Sequence, residues 1–99
     1  MTAAETLPLV GIELMPGDEA EAIALAAQEA SDTVVIDRNA AVVIVSAPGR
    51  LEIDPAVVRE HLGRDDWAGL DIQVIMASYF GFIKQLDDER IVLEWLRKA

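Results

Sequence analysis

Apolar and polar positions alternate from Leu9 to Met15, with Val10, Ile12 and Leu14 set against Gly11, Glu13 and Met15. That period of two predicts a strand, and Pro16-Gly17 ends it. Asp18 then reads as a helix N-cap, with Glu21 three residues on completing a capping box. The helix should run to about Ala30 on a thin apolar stripe of Ile23, Ala26, Ala27 and Ala30, lying close to whatever it covers. Thr33 to Asp37 and Ala41 to Ala47 are β-branched runs separated by Arg38-Asn39-Ala40, which suits a hairpin. Pro48-Gly49 punctuates, and Arg50 to Ile53 forms a short strand. Asp54-Pro55 opens a second helix, Asp as cap and Pro at the first position, with Val58 and Leu62 inward and Gly63 at the left-handed end.

A polar loop from Arg64 to Gly69 carries Trp67, which its charged neighbours place outside the core. Leu70 to Phe80 reads as the longest strand, followed across Gly81 by Phe82 to Leu86. After an Asp87-Asp88-Glu89 turn, Arg90 to Trp95 is the last strand, with Ile91, Leu93 and Trp95 on its buried face. The expected fold class is α+β: two β-α-β-β units, with small antiparallel or mixed sheets and two helices. Residues 1–8 are expected to be a flexible N-terminus and residues 9–96 a single domain.

Two short helices cannot cover both faces of such strands. In Ala41 to Ala47 both faces are apolar; in the run Leu70 to Phe80 the face of Asp71 and Gln73 turns apolar at Ile75, Ala77 and Tyr79. Either two sheets pack on each other, or part of the apolar surface meets another protein. Near Ala77 to Gly81 the pattern favours the interface.

Composition narrows the function. The 99 residues hold 53% apolar residues, too many for disorder, and should bury roughly 60–65% of the unfolded chain's surface. Eighteen acidic residues against eight basic ones give a net charge of −10. This disfavours nucleic acid and anionic membranes as partners. The acidity is shared, with 8 acidic and 2 basic residues in 1–50 and 10 and 6 in 51–99. No cysteine is present, which removes disulfides, thiolate nucleophiles and thiolate metal sites and fits a cytoplasmic location. The start of the chain lacks a secretory pattern, and no run is long enough to span a membrane.

His61 is the lone histidine, and no nucleophile, glycine-rich phosphate loop or metal-ligand spacing accompanies it. Asp65-Asp66 and Asp87-Asp88-Glu89 lack the alternating ligands of a calcium loop and read as solvated turns. Catalytic, cofactor-binding and metal residues are therefore expected to be absent, leaving a protein that works by binding.

Five segments carry a resemblance: Val10-Gly11-Ile12-Glu13-Leu14, Ala47 to Ile53, His61-Leu62-Gly63-Arg64, Ser78-Tyr79-Phe80-Gly81 and Ile91 to Trp95. In this order and spacing the chain resembles the small effector, or coupling, proteins of bacterial multicomponent soluble di-iron monooxygenases, which serve methane, phenol, toluene, alkene and propane enzymes. The resemblance spans residues 9–95. It departs at Ser31-Asp32, where many relatives carry Asn-Pro, at the Asp65-Asp66-Trp67-Ala68 insertion, and in a short N-terminus unlike the long leader of the methane-oxidising type. It implies a protein without cofactor or catalysis that docks on the di-iron hydroxylase, alters substrate and oxygen access, and competes with the reductase or ferredoxin. The family's hydroxylase-facing segment corresponds to Ala77, Ser78, Tyr79, Phe80 and Gly81. The other reading open to the residues is a small acidic ferredoxin-like ligand-binding or regulatory module unrelated to oxygenases.

Overall fold

The computed structural model describes residues 8–95. Residues 1–7 of the expected flexible N-terminus, and the expected domain end at residue 96, lie outside them. The strands are β1 (Leu9–Leu14), β2 (Val35–Arg38), β3 (Val43–Pro48), β4 (Arg50–Ile53), β5 (Met76–Phe80), β6 (Phe82–Leu86) and β7 (Ile91–Glu94). The helices are α1 (Asp18–Ala30), α2 (Pro55–Leu62) and the single turn α3 (Ile72–Ile75), which follows a 3₁₀ turn at Gly69–Asp71. The fold is α+β, built on two antiparallel sheets: β2-β3-β1-β5 and β4-β7-β6. The β-α-β-β repeat is one of chain order only. The second unit is divided, because β5 joins the first sheet while β4, β6 and β7 make the second.

Alternation decides which face each strand buries. Val10, Ile12 and Leu14 of β1 lie opposite Ala47, Val45 and Val43 of β3, and all six are buried. In the second sheet Leu51 and Ile53 lie opposite Leu93 and Ile91 and are also buried. Helix α1 packs on α2, β3 and β4 through Ala20, Ala22, Ile23, Ala24, Ala26 and Ala27. Its alanines let the backbone approach closely, as the sequence suggests, although the buried face is broader than the predicted stripe and Ala30 is exposed.

The ends of the helices separate cap chemistry from mere resemblance to it. At α2, Asp54 accepts the Ala56 N–H at 2.9 Å, Pro55 takes the first position, and Gly63 adopts φ 69°. At α1 the expected capping box does not form: Gly17 occupies the cap position and Asp18 is already helical. Glu21 turns instead to the Arg38 guanidinium, with contacts of 2.8–3.1 Å. A charged fork offers a carboxylate stronger hydrogen bonds than a single neutral N–H does. That pair holds the Glu21 carboxyl below its usual range.

The expected strand from Leu70 is corrected: residues 69–75 are helical and β5 begins only at Met76. In this segment Trp67, Gly69 and Ile72 are buried and Ile75 half-buried, whereas Val74 is 74% exposed. Spacing near three, not two, governs burial there. The Asp71 carboxylate accepts the Ala68 N–H at 2.9 Å, and the Gly69 N–H donates to Asp88 Oδ1 at 3.2 Å, which pins the turn. Gly69 lies so close to the Asp87 carbonyl that a Cβ would meet its oxygen at 2.0 Å.

The two tryptophans also exchange their expected roles. Trp67 is 1% exposed; its indole donates to Glu19 on α1 at 3.0 Å, and its carbonyl accepts from Arg59 on α2 at 2.9 Å. Trp95 follows the end of β7, outside the strand alternation, and is 40% exposed. The charged neighbours Asp65 and Asp66 stay at the surface while the ring beside them turns inward.

Trp67→Ala should therefore cost about 3–5 kcal/mol in urea unfolding, as for large buried aromatics. Trp95→Ala should cost distinctly less, and equal losses would contradict the burial just described. A second expectation concerns the 87–90 turn, where the Asp87 carboxylate accepts the N–H groups of Arg90 and Glu89 at 3.0 and 2.8 Å. Those backbone bonds, and the Gln85 amide after them, hold the Asp87 carboxyl below its usual range. A depressed carboxyl contributes stability that is whole above its unfolded value and is lost as pH falls through the folded value. Melting temperature against pH should then fall less steeply at the acid end in Asp87→Asn than in the parent.

Candidate functional site

Strand β5 is the outer strand of the first sheet and pairs on one side only, with β1. Its register sets Tyr79 opposite Ile12, Ser78 opposite Glu13 and Phe80 opposite Gly11, with a bulge at Ala77 before Met76 meets Leu14. Ala77 and Ser78 are exposed, and Tyr79 is 48% exposed even though its partner Ile12 is fully buried. A sheet edge lets a side chain on the core face lean out past the last strand. No residue of β5 is charged. All five residues singled out in the sequence are thus brought together, at the end of one open edge.

Phe80 and Gly81 differ from the other three. Phe80 is half-buried, its ring lying across Gly11, where a Cβ would come within 2.7 Å of Phe80 Cζ and 2.9 Å of Ser46 Cβ. Gly81 has φ 106° and carries the chain from the first sheet to the second. A Cβ at Gly81 would meet Val10 Cγ1 at 2.7 Å, inside the core. Gly81 is first a structural residue, and a large side chain there would disturb the fold as well as any surface.

Beyond Gly81 the apolar surface continues through residues that sequence reasoning did not select. Phe82, Leu9 and Trp95 are exposed, and the Trp95 indole donates to the Leu9 carbonyl at 2.9 Å. At the other end of β5, Leu70 and Val74 are exposed on the helical turn. Their i, i+4 spacing was the available signal for that patch.

A second concavity, of about 510 Å³, opens between α1 and α2, with Met15, Leu25, Leu62 and Ile75 beside His61, Arg64, Glu19 and Glu21. Its polar groups are committed within the protein: His61 to Glu29, Arg64 to Asp66 at 3.0 Å, Glu19 to the Trp67 indole and Glu21 to Arg38. Among the described residues no cluster of three His, Asp or Glu could hold a metal ion. Nor is any described helix long and apolar enough to cross a membrane.

Comparison with known proteins gives a consistent picture. The MmoB/DmpM family model matches residues 8–94. A chain in a structure of the phenol hydroxylase–regulatory protein complex is 28% identical, with TM-score 0.78, over 90% of this chain and 100% of that one. A second structure of that complex gives 25% identity and TM-score 0.74, over 89% of this chain and 100% of that one. The soluble methane monooxygenase regulatory protein B shares the fold at 21% identity and TM-score 0.66, over 95% of this chain and 73% of that one. No curated protein matches the chain.

The geometry at Gly81 makes an expectation that separates structure from surface. Gly81→Ala should lower the melting temperature, since φ 106° and the Val10 contact both oppose a Cβ. Ser78→Ala, on the exposed middle of β5, should leave it within experimental scatter. A melt of Gly81→Ala as high as the parent's would show that the crossing tolerates a side chain.

Proposed function

The chain belongs to the MmoB/DmpM family, and from that premise we propose that it is the effector of a multicomponent di-iron hydrocarbon monooxygenase. It carries out no chemistry itself. It binds the hydroxylase component and favours one conformation of it, which changes oxygen and substrate access at the di-iron site and so the rate of turnover. In competing for the hydroxylase with the reductase or ferredoxin, it also affects when electrons arrive. Its place of action is the cytoplasm. The observation that carries this reading is the family match along nearly the whole described chain, joined to the likeness to a chain from a complex of phenol hydroxylase with its regulatory protein.

We assign the hydroxylase contact to Ala77, Ser78, Tyr79, Phe80 and Gly81. The physical support is the uncharged, exposed edge that they form in a chain of net charge −10. A neutral patch enters a groove without the cost of burying unpaired charge, while acidic groups remain at a wet rim. Tyr79 is the anchor, a half-exposed aromatic with a polar tip. Binding shifts the hydroxylase only by as much as the two conformations differ in affinity for the effector. Such coupling is typically ~1–3 kcal/mol, or about 5–150-fold. The alternative of a ligand-binding module finds less support, because the polar groups beside the helical groove are already paired internally.

Tagged protein should retain a large di-iron hydroxylase from the cells that make it, and should raise that enzyme's turnover. Tyr79→Ala should keep its circular dichroism and most of its melting temperature, yet bind the hydroxylase at least about tenfold more weakly, as for an anchor worth more than 1.4 kcal/mol. Unchanged binding would remove Tyr79 from the interface, and retention of no hydroxylase would remove the effector reading itself.

A further inference from the structure

The two sheets have four outer strands, and three of them carry charge: Asp37 and Arg38 on β2, Arg50 and Glu52 on β4, and Lys84 on β6. Strand β5 carries none, and it contains no proline. Charged side chains and prolines are the usual guards that keep an open edge from pairing with another chain. The one guard at β5 is the bulge at Ala77, which leaves Ser78, Tyr79 and Phe80 in regular register with β1 and their outer edge free. In so acidic a chain, an unguarded edge is a place where another strand can add.

We propose that β5 pairs with β5 of a second copy of this protein, antiparallel, about a two-fold axis at Tyr79. Antiparallel pairing of a strand with itself is self-complementary, so one register sets Tyr79 opposite Tyr79 and Ser78 opposite Phe80 on both sides. The facing tyrosines make an aromatic cross-strand pair of the kind that stabilises sheets. The two four-stranded sheets become one of eight strands. The contact is small, because five residues span only about 17 Å. A stable interface buries roughly 1,200–2,000 Å² in total. The dimer is therefore weak and reversible.

Charge supplies its signature. Each copy carries −10, so the two repel at low ionic strength while the paired strands themselves are neutral. Salt screens that repulsion and strengthens the dimer. A complex held by attraction between opposite charges would weaken instead. This inference does not depend on the effector reading, since it involves no hydroxylase.

Sedimentation of the full chain, from micromolar to ~1 mM in low and high salt, tests it directly. Dimer should increase with concentration and with salt. Tyr79→Lys places like charges directly opposite each other, and Ser78→Lys restores a charged guard on an exposed position; each should weaken association at least about tenfold. The chain has no cysteine, so Tyr79→Cys adds a single probe, which should form a disulfide-linked dimer faster than Ser78→Cys does. A protein monomeric at every concentration and salt would overturn the proposal. So would a dimer that both lysine variants leave intact, or equal cross-linking at 78 and 79.

Discussion

At Gly49 and at Gly81 the chain passes from one sheet to the other within a single residue, and the architecture depends on those two crossings. Both glycines have positive φ, 74° and 106°, a region that costs other residues free energy. The crossing at Gly49 is fastened by backbone bonds: its N–H donates to the Pro8 carbonyl at 2.8 Å, and its carbonyl accepts from Trp95 at 3.3 Å. The Trp95 indole closes the same seam on the Leu9 carbonyl. At Gly81 the fastening is steric, with the backbone against Val10 and no room for a side chain. Because β5 ends where this crossing begins, the position of its exposed residues is set by the seam.

Much of this was legible in the chain, and the failures have definite causes. Alternation located β1, β4 and the core of β7, and Asp54-Pro55 with Gly63 marked both ends of α2, because these signals are local and physically specific. The stretch from Leu70 to Ile75 misled because Ile72, Val74 and Ile75 are β-branched and suit a strand by propensity alone. What overrode propensity was tertiary: the contacts of Gly69 and Asp71, and a buried Trp67 that draws the loop inward. No local pattern announces a tryptophan whose hydrogen-bond partner, Glu19, lies 48 residues away. For the candidate site, the pattern did select the residues now seen on one open edge. It did not reveal that Phe80 lies across Gly11 or that Gly81 is pressed on Val10, since both facts require the sheet to exist first.

The distribution of charge gives the neutral edge its meaning. Most ion pairs here are exposed, such as Glu21 with Arg38 and Asp66 with Arg64, and pairs of that kind contribute little to stability. On the outer face of the second sheet Arg50, Glu52, Glu94, Lys84 and Arg90 form a connected set with Asp54. Those charges guard β4 and β6 against strand addition while balancing one another. The same chemistry on β5 would have cost little stability, because Ser78 and Ala77 face solvent. An edge left neutral in a chain this acidic is explained by what binds there more readily than by folding.

A neutral strand is useful for recognition only if it is held still, and the ties around it are rigid rather than extensive. Met15 donates to the Ile75 carbonyl at 2.8 Å, which fixes the entrance to β5 against the end of β1. Arg59 joins α2 both to the Trp67 carbonyl and to Asp88, and Asp88 in turn holds Gly69. Trp67 links that assembly to the first turn of α1. The helices, the 87–90 turn and the entrance to β5 are thus connected through buried or half-buried contacts, with Gly81 closing the far end. A partner meeting Ser78 and Tyr79 finds a strand ordered at both ends. It loses little entropy in ordering them further, which leaves more of the contact energy to distinguish one conformation of the partner from another.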